Sequence, residues 1–338
     1  MLIVMQEAAA EGQIQGVIER LTRHGFDIHR STGKSHVILG AIGDARIMEP
    51  DAIAVMPGVA RVVRVTSPYH LAGRECHPED TVVEICGVPV GGPELTLVAG
   101  PGFVEDGRQL RACAEALSAA GMRLIRADVF RSGPSPYALR GPGQAGLQML
   151  RAAASAHGLA LIAEVATPEH VEAVADVADA VEVGARAMQS FSLLETLGKS
   201  GRPVILRRHP GSTIEEWLLA AENVLAAGNE KVILCEAGVR GYGGPDRLAL
   251  DISCLPAARA LTHLPILVDV GPSAGRRDRV PVLARAAVAA GAQGVVLEVH
   301  PDPDRAAMDG AVSLIPAELY RLVGQLHRIA AITNESSA

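Results

Sequence analysis

The stretch Leu97-Val-Ala-Gly-Pro-Gly-Phe-Val-Glu-Asp106 runs apolar for three residues, breaks at Gly-Pro-Gly and leads into the helical pattern GRQLRACAEALSAAG. A short apolar run followed by a turn and an amphipathic segment is the unit of a parallel α/β fold. Outward from it the unit recurs. LTLVAG, RLIRADVF, ALIAEVA, AVEVGA, PVILRR, KVILCEAG, PILVDVG and GVVLEVHP alternate with helical segments such as TIEEWLLAAENVLAAG and RDRVPVLARAAVAAG. Eight such units in roughly 240 residues predict a (β/α)8 TIM barrel over 95–338. A doubly wound open sheet is the alternative, but no GxGxxG opens the first unit.

The residues before the barrel read differently. LIVMQ, a helical AAAEGQIQGVIERLTRHG, FDIHR, HVILGAIG, a short helix in EPDAIAVMPG and ARVVRVT give the order βαββαβ. That order predicts a ferredoxin-like domain over 1–66. Residues 67–94 are a linker followed by ECHPEDTVVEICGVPVGG, a hairpin expected to plug one end of the barrel.

Composition agrees with helices packed on a buried parallel sheet: of 338 residues, 49% are hydrophobic and only 3% aromatic. A net charge of −7 gives no reason to expect a nucleic-acid partner. MLIVMQEAAAEG lacks a basic start and long apolar run, and no stretch approaches a membrane span, so a cytoplasmic location is expected. Cys76, Cys86, Cys113, Cys235 and Cys254 show no metal-ligand spacing and read as reduced thiols.

Barrel chemistry collects at the C-terminal strand ends. Those ends carry Gly102; Arg126, Asp128 and Arg131; Glu164; Arg186; Arg207, Arg208 and His209; Glu236; Asp269; and Glu298 with His300. Arginines from four ends converge on one mouth, a pattern suited to phosphate or carboxylate because each guanidinium offers a planar donor fork. The competing reading pairs them with Glu164, Glu236 and Glu298 as structural ion pairs.

Further motifs carry a resemblance: HRSTG at 29–33, HPEDTVV at 77–83, SPYALRG at 135–141, GAR-MQ-F around Arg186, TIEEWLLAAE, VILCE-G-R, GRRD at 275–278 and LEVHPDP followed by Asp309-Gly. Along its whole length the chain resembles the type I DAHP synthases (3-deoxy-7-phosphoheptulonate synthases) of the short class with an N-terminal ferredoxin-like regulatory domain. The resemblance implies condensation of phosphoenolpyruvate with erythrose 4-phosphate and a metal held by Cys, His, Glu and Asp. It also implies a homo-oligomer, a tetramer, and sensing of aromatic amino acids through His29 and Ser31.

Against that pattern the chain keeps Glu298 and Asp309 but places Gly102 at the Cys position and Pro272 at the His position. Neither side chain coordinates a metal, and two carboxylates alone form a weak, oxygen-only set, so no metal and no other cofactor is expected. The family's KPRTSPY reads Arg131-Ser-Gly-Pro-Ser-Pro-Tyr137, the Lys of the fifth strand end is Arg207 followed by a new His209, and an Arg after CE is Ala237. Arg126 and Arg186 match phosphoenolpyruvate-binding arginines.

Three functions follow as alternatives. One is a metal-independent lyase or transferase acting on an enolpyruvyl-like, phosphorylated or carboxylated small acid. It would use Arg126, Arg131, Arg186, Arg207 and Arg208 with Glu298 and Asp309 for binding, and His209, Arg131 and Arg207 for chemistry. His209 beside positive charge suits a general base, unless it only shapes the turn before Pro210. Another is a catalytically silent binding or regulatory homologue. The last is the ordinary condensation.

Overall fold

The computed structural model describes residues 1–32, 37–43, 48–63, 68–130, 137, 139–241 and 248–335, which form two compact units, Met1–Cys76 and His77–Ala338. In the first, β1 (Leu2–Met5), α1 (Glu11–Arg23), β2 (Asp27–Thr32), β3 (Val37–Ile42), α2 (Asp51–Ala54) and β4 (Val59–Val63) follow in the expected order. The strands form an antiparallel sheet in the order β2-β3-β1-β4, the ferredoxin-like arrangement. Ile14, Val17 and Leu21 recur at helical spacing on α1 and bury against Ile3, Met5 and Leu39 of the sheet. His29 and Ser31 share one face of the edge strand β2, in register with Gly40 and Ile38.

In the second unit the hairpin β5 (Val83–Ile85) and β6 (Val88–Val90) precedes the barrel. Val83, Ile85 and Val90 share one apolar cluster with the barrel residues Val98, Leu124, Ile162, Ile205, Ile233 and Leu267. The hairpin thus closes one end of the barrel with side chains that would otherwise leave that core layer open to water.

The barrel strands are β7 (Thr96–Gly100), β8 (Leu124–Ala127), β9 (Ala160–Val165), β10 (Ala180–Val183), β11 (Val204–Arg207) and β12 (Val232–Glu236). After a small antiparallel pair, β13 (Val239–Arg240) and β14 (Leu248–Ala249), come β15 (Ile266–Asp269) and β16 (Gly294–Glu298). All the barrel pairings are parallel, and β16 pairs with β7 to complete the closure. The helices between them include α3 (Gly107–Ala119), α4 (Gly143–Ala156), α5 (Val171–Ala175), α6 (Phe191–Ser200), α7 (Ile214–Ala226), α8 (Cys254–Leu261), α9 (Gly271–Ala274), α10 (Val280–Ala289) and α11 (Pro316–Glu335).

Caps set where these helices begin. Asp106 accepts from the amides of Arg108 at 2.7 Å and Gln109 at 2.8 Å, which starts α3 directly after the opening stretch. Thr213 and Glu216 form a reciprocal capping box at α7. Trp217, fully buried on α7, donates from Nε1 to the Leu206 carbonyl at 3.1 Å and so ties the helix to β11, the strand that delivers Arg207. Among the described residues no helix is long and apolar enough to cross a membrane. Cys113, Cys235 and Cys254 are buried free thiols, whereas Cys86 is exposed.

Candidate active site in the barrel mouth

Charged side chains inside a barrel survive only when paired, and here the pairing is dense. Arg126, at the end of β8, donates from Nε to Glu182 at 3.0 Å and from Nη2 to Asp128 at 2.8 Å. Glu164 lies 3.7 Å and Glu298 4.0 Å from the same guanidinium. Arg207, at the end of β11, pairs through Nε with Glu182 and through Nη1 with Asp269 at 2.5 Å. Glu182 therefore bridges the two arginines from β10. Arg208 turns the other way, to Glu236 at 3.0 Å, Asp251 at 3.2 Å and the Ser212 carbonyl at 3.0 Å.

Each titration follows from this geometry. Burial alone would lower Arg126, but Asp128, Glu182, Asp269 and Glu164 outweigh it and keep the guanidinium charged. Burial would likewise raise Glu182, and Arg126 and Arg207 hold it below the usual carboxylate range. Glu164 stands level with Glu182 in the β9–β10 register. Burial, with Asp128 and Glu182 beside it, pushes Glu164 up to about 8. Burial, with Asp309 and Asp269, pushes Glu298 well above its ordinary value. Burial also raises Glu236, against the opposing pull of Arg208.

Gly184 and Gly102 make room for these carboxylates. A Cβ on Gly184 would collide with Glu164 Oε1. On Gly102 it would lie 2.7 Å from Glu298 Oε2 and 2.9 Å from Asp309 Oδ2, nearer than side-chain carbons approach such atoms. Glu298 and Asp309 thus lean into the space a side chain at 102 would occupy. Asp309 adopts a left-handed backbone with φ 55°, and Arg277 of the GRRD motif holds the neighbouring Gly310 carbonyl at 3.1 Å.

The metal set implied by the resemblance calls for a thiolate, an imidazole and two carboxylates. Gly102 supplies no thiolate, its space is taken by two carboxylates, and Pro272 in the short helix α9 supplies no imidazole. Among the described residues no cluster of three His, Cys, Asp or Glu side chains is placed to hold a metal ion. The donors present do not fit a mixed thiolate, imidazole and carboxylate centre.

The remaining expected site residues separate. Arg186 is exposed in the 3-10 turn Ala185–Ala187 after β10. Arg131 lies outside the described residues, together with 132–136. His209 is half-buried; its Nδ1 accepts from the Gly211 amide at 3.2 Å, and its own amide meets Met188 Sδ at 3.2 Å. In that geometry Nδ1 is engaged by the backbone, and Nε2 is the ring nitrogen left to face a ligand. His300 is buried, with Nδ1 accepting from the Asp302 amide at 3.0 Å and Nε2 3.4 Å from Glu105. The arginines expected to face one ligand together are instead split between Glu182 and Asp269 for Arg207 and Glu236 and Asp251 for Arg208. The competing ion-pair reading named Glu236 for this role, and Arg208 pairs with it.

Sequence reasoning missed Glu182, the carboxylate that both inner arginines share. Its signal was a single Glu inside AVEVGA, an otherwise apolar run of a strand buried on both faces.

Comparison with known proteins places this geometry in a family. The DAHP synthetase I family matches residues 80–334, and the DAHP synthase ferredoxin-like domain matches residues 1–67. The chain is 40% identical over 331 residues to a phospho-2-dehydro-3-deoxyheptonate aldolase of Thermotoga maritima, covering 98% of each. It is 32% identical over 272 residues to a 2-dehydro-3-deoxyphosphooctonate aldolase of Geobacter sulfurreducens, covering 74% of this chain and 98% of that one. The crystal structure of a Thermotoga maritima phospho-2-dehydro-3-deoxyheptonate aldolase (DAHP synthase) superposes with a TM-score of 0.78 at 39% identity, covering 98% of both chains.

Proposed function

The chain belongs to the DAHP synthetase I family, and from that premise we propose that its barrel mouth takes a small phosphorylated or carboxylated acid of enolpyruvyl type and acts on it as a lyase or transferase without a bound metal. One observation carries the anion part. Arg207, 8% exposed, ends β11 in the mouth with two nitrogens in ion pairs and its Nη2 without a hydrogen-bond partner among the described residues. A buried guanidinium edge without a partner is a strong donor for a ligand oxygen, because its own desolvation has already been met by the fold. The absence of side-chain donors at Gly102 and Pro272 supports the metal-free part.

The chain's own residues then divide the work. Arg207 binds the acid and, with Arg126 behind it, stabilises negative charge that develops on a carbonyl oxygen. Glu164 keeps its proton up to about 8 and lies 3.7 Å from Arg126, so it is an acid available in the mouth near neutrality. Titration calorimetry with phosphoenolpyruvate in chelator tests the reading. Binding that falls at least about tenfold in Arg207→Ala supports it; no heat at millimolar ligand overturns it. A coupled assay with erythrose 4-phosphate, run with and without chelator, separates the ordinary condensation: chelator-sensitive turnover assigns that activity and removes the metal-free step.

A second reading is favoured by the density of the pairing. Asp128, Glu164, Glu182, Asp269 and Glu298 outnumber Arg126 and Arg207, so the arginines arrive largely compensated. That supports a catalytically silent homologue acting by binding through His29, Ser31 and the rest of its first unit. A melting-temperature shift with tyrosine or phenylalanine, together with no response to phosphoenolpyruvate, selects it.

A further inference from the structure

Arg207 Nε and Asp269 Oδ2 meet their partners only as ion pairs, and two further mouth atoms of opposite character have neither a hydrogen bond nor a close ion pair among the described residues: Arg207 Nη2 and Glu298 Oε2. Both residues are only 8% exposed. The rest of each group is engaged. Arg207 holds Glu182 and Asp269, and Glu298 Oε1 lies 4.0 Å from Arg126 Nη1. Asp269 and Glu298 also approach one another over Gly271: a Cβ there would meet Asp269 Oδ1 at 3.4 Å and Glu298 Oε1 at 3.8 Å. Arg207 pairs with Asp269, Asp269 also acts on Glu298, and Glu298 Oε2 is aimed over the bare backbone of Gly102.

A ligand carrying negative charge alone answers Arg207 but leaves Glu298 Oε2, buried beside Asp309, with no hydrogen-bond partner among the described residues. A ligand carrying positive charge alone leaves Arg207 in the same condition. We propose that the mouth is built for a zwitterionic small acid, its phosphate or carboxylate on Arg207 and its ammonium group on Glu298. This rests on the reading of the mouth as an acid-binding site and narrows it to acids that also carry an amine. No covalent step is implied.

The test uses two compounds that differ only at that group, O-phospho-L-serine with an ammonium and 3-phospho-D-glycerate with a hydroxyl. Both are titrated calorimetrically into the full chain in chelator. The expected result is a preference of about tenfold or more for phosphoserine, lost in Glu298→Gln, with Arg207→Ala weakening both compounds. Equal affinities in the unsubstituted chain overturn the zwitterion proposal while leaving the acid-binding reading in place. A preference that survives Glu298→Gln also overturns it, and binding of neither compound overturns both. The comparison within the unsubstituted chain stands even if the Gln variant misfolds, which emission from Trp217 reports directly.

Discussion

Glu182 is the residue on which the mouth turns. One carboxylate bridges Arg126 and Arg207, all three being at least nine-tenths buried, so its removal takes one close partner from each arginine and leaves Asp128 to the first and Asp269 to the second. Breaking a buried pair from one side costs about 3–5 kcal/mol, and Glu182→Gln is expected to lose that much stability in urea unfolding. A change below about 1 kcal/mol would show the bridge to be dispensable. Gly102 makes the opposite case, where adding atoms is the perturbation. In Gly102→Cys the new Cβ must displace Glu298 or Asp309, and overpacking of this kind costs about 1–3 kcal/mol. A thermal melt showing lower stability for this variant checks the crowding; no loss would mean that both carboxylates move aside freely.

At the scale of elements, the fifth unit shows how precision is delivered. Arg207 ends β11, Trp217 clamps Leu206 from α7, and the Thr213–Glu216 box fixes where α7 starts. Thr213→Ala is expected to cost about 1 kcal/mol in denaturant unfolding, with the native Trp217 emission unchanged because its indole stays on Leu206. The unit also shows what was legible beforehand. Apolar runs bounded by turns and helical spacing specified every barrel strand, because a strand buried on both faces cannot hide its composition. The hairpin shows the other pattern, alternation, with Val83, Ile85 and Val90 buried and Glu84 and Pro89 exposed. The strand ends were legible too, and Gly102 and Pro272 stood out. Who pairs with whom was not, since Arg126 and Glu182 are 56 positions apart and meet only because closure brings β8 and β10 inward together. Nor did sequence spacing show that Arg208 turns toward Glu236 while Arg207 turns inward, because consecutive strand residues face opposite ways only once the strand's end and register are known.

Over the whole molecule, the excess of carboxylates in the mouth links stability to pH. Glu164 holds its proton up to about 8 in the folded chain, against an ordinary value of 4.5 for the unfolded one. Between those values the folded state binds the extra proton, so this group's contribution is fully present below the lower value and is lost as pH rises through the upper one. Glu236 shifts in the same direction. Glu182 and Asp251 shift in the other, contributing stability that is present above their unfolded values and lost as acid protonates them. Stability is therefore expected to fall on the alkaline side of a maximum at mildly acidic pH. Glu164→Gln isolates the first of these groups, because an amide keeps the shape and never ionises. The melting temperature of the variant minus that of the unsubstituted chain should rise steadily from about pH 5 to about pH 8, as burial of a charge at Glu164 becomes the alternative. A difference flat across that range would mean that Arg126, 3.7 Å away, already compensates the ionised carboxylate, and that Glu164 has no proton to give near neutrality.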